Sequence, residues 1–195
     1  SSETSLVNSA QITQYPASVK TAITRMIVSN STSPYALSFD DPSLFTANLT
    51  TPQLEAENVF HPDGGGATYA LGPANVMAAN VAAPWVFNTE NEIENIGQSG
   101  GPSDTTADTI AFLPGVTTAI CQKIHQKLGL STTLPAETNI DFATIQDTTV
   151  GTATDRIFTG GGTGVIGDGN ILSGQPQGCF TQGGQNIYYH VIVER

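Results

Sequence analysis

Apolar positions near the start of the chain recur at helical intervals. Ile12, Tyr15, Val19, Ala22, Ile23 and Met26 lie three or four residues apart, on one stripe of a helix over about residues 4–29. Pro16 falls inside this run and predicts a kink or the start of a second segment. Lys20 and Arg25 lie on the polar side of the same helix. From Ser29 to about Ala83 the periodicity gives way to Ser, Thr, Asn, Pro and Gly, the composition of an irregular connection, with short helical turns around Leu44 and Leu54. Within it, His61-Pro62-Asp63-Gly64-Gly65-Gly66 predicts a tight turn, in which glycine supplies positive φ.

Strand-like patterning begins at Trp85-Val86-Phe87 and resumes at Glu92-Ile93-Glu94-Asn95-Ile96 and at Thr109-Ile110-Ala111-Phe112-Leu113. A turn-rich interval at 97–108 separates the last two, which predicts antiparallel pairing. Val116, Ala119, Ile120, Ile124 and Leu128 return to helical spacing and end at Gly129, a suitable C-cap, so that Cys121 is carried on a helix. Residues 131–178 read as Thr- and Gly-rich loops, and the chain closes on the β-prone run Ile187 to Val193. The expected architecture is α+β, one domain over 1–195. A helix (1–29) packs on an antiparallel sheet within 84–195, joined by the connection 30–83, with a second helix and a C-terminal region closed by the cysteines.

A chain of 195 residues suits one domain able to bury about 70% of its unfolded surface. Charged residues are only 12% of the chain, and six Lys and Arg face seventeen Asp and Glu. The resulting charge of −11 argues against nucleic acid and against a polybasic attachment to anionic lipid. Together with the polar-neutral composition it suits an extracytoplasmic surface. Cys121 and Cys179 are either one bridge or two buried thiols, and neither has redox or zinc spacing. No run of eighteen apolar residues occurs, and a helical pattern follows Ser1 without an initiator Met, as in a mature or truncated product.

Catalytic chemistry finds little purchase in these residues. His61, His125 and His190 fall in a turn, a helix and a strand without characteristic neighbours. His125 is expected to face solvent, and His190 to alternate with Tyr189 and Val191 on one face of its strand. The sequence therefore predicts a structural or binding protein rather than an enzyme. The glycine-rich stretch 160–170 is expected to be a loop in which Asp155, Asp168 and Asn170 are weak candidate ligands for Ca²⁺, and no other cofactor is expected. Two Asn-x-Ser/Thr triplets, at Asn30 and Asn48, decide nothing in a chain this rich in those residues.

The order of features resembles type IV pilins and pseudopilins. The stretch Ile110-Ala111-Phe112-Leu113-Pro114-Gly115-Val116 leading into Ala119-Ile120-Cys121-Gln122-Lys123-Ile124 looks like the strand, proline and cysteine-bearing helix of type IVb-like pilins. Ser9 to Met26 looks like the solvent-side half of the pilin helix, and Gly178-Cys179-Phe180 like the disulfide-closed end. The resemblance implies a Cys121–Cys179 disulfide and an assembly helix carrying Ile12, Tyr15, Val19, Ile23 and Met26. It implies self-association into a filament with other pilin-like subunits. It also implies a chain cut before Ser1, whose apolar first half-helix holds the subunit in a bacterial inner membrane, facing the periplasm, before it enters a surface pilus. The alternative is a secreted carbohydrate- or protein-binding adhesin module that presents Trp85 or Tyr69 to a ligand.

Overall fold

The computed structural model describes residues 2–98, 100–102, 106–146 and 164–195. Helix α1 (Ser2–Ser29) is followed by a connection holding only 3-10 turns and two short helices, α2 (Phe45–Asn48) and α3 (Pro52–Glu57). The rest comprises β1 (Val86–Ile93), β2 (Asp108–Pro114), α4 (Thr118–Leu128), β3 (Gly164–Ile166), β4 (Gln177–Gln182) and β5 (Gln185–Val193). The fold is α+β, as expected, with helical turns near Leu44 and Leu54. α1 continues through Pro16, which sits on the buried face, so no second segment begins there.

The five strands are ordered β3-β1-β2-β5-β4. Four run antiparallel, but β3 pairs with β1 in parallel, so the sheet is mixed where an antiparallel one was expected. Hairpin β4–β5 turns through Gly183 and Gly184, both with positive φ (59° and 78°), the geometry that matches strand twist in a two-residue loop. That pair of glycines marks a turn with strand on both sides. Reading 131–178 as loops missed β3 and the first two residues of β4, and the sequence reading began its last strand only at Ile187, so β4 went unpredicted.

β1 also differs from its reading as two pieces. In its polar middle the side-chain amides of Asn88 and Asn91 find partners in a distant segment. Asn88 Nδ2 donates to the carbonyls of Asp141 (2.9 Å) and Ala143 (3.1 Å), and Asn91 exchanges bonds with the Asp141 backbone at 2.9 Å each. The register shifts between Asn88 and Asn91, a bulge that releases these amides toward the 139–145 segment. Buried asparagines thus give an irregular segment the backbone partners that a further strand would have supplied.

Both faces of the central strands are covered. On one side Phe87, Ala111, Leu113, Tyr188 and Ile192 pack with the α1 stripe and with Ile120 and Ile124 of α4. On the other, Ile110, Phe112, Phe180, Ile187, Tyr189 and Val191 pack with Ile140, Ile166, Leu172 and Phe142. Cross-strand pairs alternate accordingly: Phe112 opposes Tyr189 on one face and Leu113 opposes Tyr188 on the other.

Cys121 of α4 and Cys179 of β4 form a disulfide, with Cα atoms 5.7 Å apart, an ordinary span. Such a bridge suggests an oxidising, extracytoplasmic environment. Among the described residues no helix is long and apolar enough to cross a membrane. Beside the bridge lies His125, which is fully buried rather than solvent-facing. Its Nε2 accepts the Cys179 N–H (2.9 Å), which places the ring proton on Nδ1, donated to the Ser131 carbonyl (2.7 Å). The stripe Cys121, His125, Leu128 has helical spacing, so the sequence carried a signal that His125 faces inward.

Mass spectrometry without reductant is expected to find both cysteines refractory to alkylation; two labelled thiols would contradict the bridge. Replacing both by Ser opens a loop of 58 residues and is expected to lower unfolding free energy by about 4 kcal/mol in the chain-entropy account. His125→Ala strands the buried Cys179 N–H and removes the donor to the Ser131 carbonyl, and is expected to cost about 1–3 kcal/mol, read by urea unfolding followed through Trp85 fluorescence.

Candidate functional site

The α1 stripe is spent on the chain's own core. Ile12, Val19, Ile23 and Met26 are buried, together with Ser9, Pro16 and Ala22. Tyr15 is half-buried and acts as a clasp: its hydroxyl donates to the Thr68 carbonyl (2.9 Å) and accepts the Ala70 N–H (3.1 Å), while its ring tilts on Trp85 at 5.4 Å. Burial pushes the Tyr15 hydroxyl up to about 12, with the Ala70 bond opposing it. These residues hold the helix to the body.

What α1 offers to another molecule is its opposite face. Gln11, Gln14, Ala17, Ser18, Thr21 and Thr24 are exposed there, with Val7 (60% exposed) and Val28 (75%) toward the two ends. Three of the hydroxyls are already used within the helix: Ser18 donates to the Tyr15 carbonyl (2.7 Å), Thr21 to Ala17 (3.1 Å) and Thr24 to Lys20 (2.9 Å). Such back-bonding leaves fewer hydroxyl donors unsatisfied if the face is dried. Lys20 and Arg25, two of the six basic residues, border it on a chain of net charge −11. The face is narrow, small-residue and locally cationic on an acidic protein.

The remaining sequence candidates do not converge. Asp155 lies outside the described residues. Asp168 is exposed, while Asn170 is engaged: its Oδ1 accepts the Leu172 N–H (2.9 Å) and its Nδ2 donates to Glu137 Oε1 (2.7 Å). Glu137, which sequence reading passed over, also accepts the Gly167 N–H (2.8 Å) and ties the 167–170 turn to the body. Trp85 is 3% exposed and sits between Tyr15 and Tyr188, so it offers no aromatic face to a ligand. Tyr69 is half-buried, edge-on to Phe60 at 5.3 Å.

Two titratable groups under the sheet are displaced in opposite directions. His190 lies on the α1 side, its Nδ1 bonded to the Tyr188 hydroxyl (2.8 Å), which also donates to Gln177 (2.8 Å). Burial, with Lys20 nearby, pushes its imidazole down to about 4. Asp108 is buried at the start of β2, where it accepts the Ile93 (3.0 Å) and Arg195 (3.1 Å) backbone N–H groups. Burial, with smaller effects from Glu92 and Glu194, nonetheless pushes it up to about 6.

The signs of the two linkages follow. Between about pH 4 and 6 folded Asp108 holds a proton that the unfolded chain has released, so its contribution to stability falls as pH rises. Between about pH 4 and 6.5 unfolded His190 holds a proton that the folded chain refuses, so its contribution rises with pH. The two offset each other in the wild type. Asp108→Asn is therefore expected to make the Tm climb more steeply from pH 4 to 6.5 than in the wild type, and His190→Gln less steeply. Both variants running parallel to the wild-type profile would contradict the assignments.

Compared with protein-family models, with curated proteins and with solved structures, the chain matches none, so its family is not shown by similarity.

Proposed function

We propose that this chain is the extracytoplasmic globular part of a type IV pilin-like subunit, a structural element of a pilus or secretion filament rather than an enzyme. The observation that carries the reading is α1. A helix of 28 residues, about 42 Å long, buries one stripe on a sheet and leaves an uncharged face that includes Ala17, Ser18, Thr21 and Thr24, with apolar Leu6 and Val7, exposed. A helix used in this way serves two packings, one within the subunit and one between subunits. The disulfide between α4 and β4 supports the same reading, because it fastens the sheet's outer hairpin against pulling. Lys20 and Arg25 beside the face give an acidic neighbour a complementary edge.

The test uses the gene with its own upstream sequence in its native host. The protein is expected in the membrane fraction and in sheared surface fibres or a secretion complex. Ala17→Arg and Thr21→Arg, both on the exposed face, are expected to abolish recovery in fibres while moving Tm by no more than about 2 °C, as surface substitutions do. A native product found free in the medium, or fibres that tolerate both substitutions, would overturn the proposal.

A further inference from the structure

The connection between α1 and the sheet carries a cluster that the filament reading does not use. Glu55 projects from α3, and His61 and Asp63 from the turn that follows it. The turn is held tightly against α3. Asn58 is buried, and its Oδ1 accepts the N–H groups of Phe60 and His61, both at 2.9 Å. Gly64 and Gly65 are needed for close approach rather than for positive φ, which Gly66 alone of the three adopts. A Cβ on Gly64 would lie 2.1 Å from the Asn58 carbonyl oxygen and 2.6 Å from that of Glu55. Arg25 of α1 holds the turn from outside by donating to the Gly65 carbonyl.

This packing brings one imidazole between two carboxylates. Nε2 of His61 is 3.9 Å from Glu55 Oε1, and Nδ1 is 4.0 Å from Asp63 Oδ2. One ligand atom from each of the three residues lies within 4.8 Å of the others. Three atoms each about 2.1 Å from one tetrahedral ion lie about 3.4 Å from one another, so the side chains must close by on the order of 1 Å. Asp63, with its side chain 75% exposed, is free to supply much of that movement, while the His61 ring is steadied against Phe45 at 4.9 Å.

We propose that Glu55, His61 and Asp63 bind a divalent transition-metal ion of the zinc class, through one ring nitrogen and two carboxylate oxygens, clipping the turn to α3. An imidazole in the set favours such an ion over Ca²⁺, and three protein ligands leave a position for water. The chain's other described histidines are committed: both His125 nitrogens to backbone groups and His190 Nδ1 to Tyr188. Binding has a local signature. His61 Nδ1 now accepts the Asp63 N–H at 3.1 Å. A neutral metal-bound imidazole carries its one proton on the nitrogen that the metal leaves free, so an ion at either position removes this bond.

Calorimetry with Zn²⁺ is expected to give saturable one-to-one binding that His61→Ala abolishes. Glu55→Gln and Asp63→Asn should each weaken Kd at least about tenfold, since loss of even an outer partner of a metal ligand has that effect. In ¹H–¹⁵N spectra the Asp63 amide should move with the same saturation curve. The two carboxamide variants keep the test decisive if His61→Ala unfolds. Absence of saturable binding, an unchanged Kd in these variants, or an Asp63 amide that stays in place would overturn the proposal.

Discussion

Central strands β2 and β5 are buried on both faces, and much of the rest of the fold follows from that constraint. A strand with Phe112 and Ile110 on one side and Leu113 and Ala111 on the other has no face to give to water. Two covers are therefore required. α1 and α4 supply one as regular helices. The other comes from the segments around Ile140, Phe142, Ile166 and Leu172, which have little regular structure and must obtain backbone hydrogen bonds elsewhere. The amides of Asn88 and Asn91, the carboxylate of Glu137 and the side chain of Gln182, which bonds both backbone groups of Ile140, provide them. Buried polar side chains here stand in for a ladder.

The join between the two covers is made at one place. α4 lies on the helical side, β4 at the sheet's edge, and Cys121–Cys179 links them covalently. His125, one turn along α4 from Cys121, occupies both of its ring nitrogens with backbone groups, one on β4 and one in the segment after the helix. Covalent bond and imidazole act on the same short stretch of β4, so they are coupled. Loss of either leaves the other to hold an edge strand whose remaining backbone bonds run to β5 and, through Thr181, to Pro135 and Glu137.

Periodicity made the helices and the hydrophobic strands legible, because burial repeats along them. Ile12 to Met26 and Ile120 to Leu128 are read correctly by spacing, and Gly129 ends α4 in the left-handed conformation that its position suggested. The polar middle of β1 was not legible, since Asn88 and Asn91 are bonded to partners about fifty residues away. β3, three residues long, pairs in parallel with a strand far back in sequence, which local pattern cannot report. The candidate sites divide in the same way. The α1 stripe could be found by spacing and the cysteine pair only through the resemblance, whereas the Glu55, His61 and Asp63 cluster depends on how closely two glycines allow a turn to approach α3.

Charge adds a last constraint on the association proposed for α1. At −11, two copies approaching at random repel, and the repulsion is strongest where acidic loops face each other. Few basic residues exist to offset this, and two of them, Lys20 and Arg25, border the outward face of α1. On that face Ser18, Thr21 and Thr24 have satisfied their hydroxyls internally, which leaves Gln11 and Gln14 as its uncharged polar groups. In the filament proposed above, an association through α1 would be orientated by this basic edge, with acidic loops kept apart on the outside.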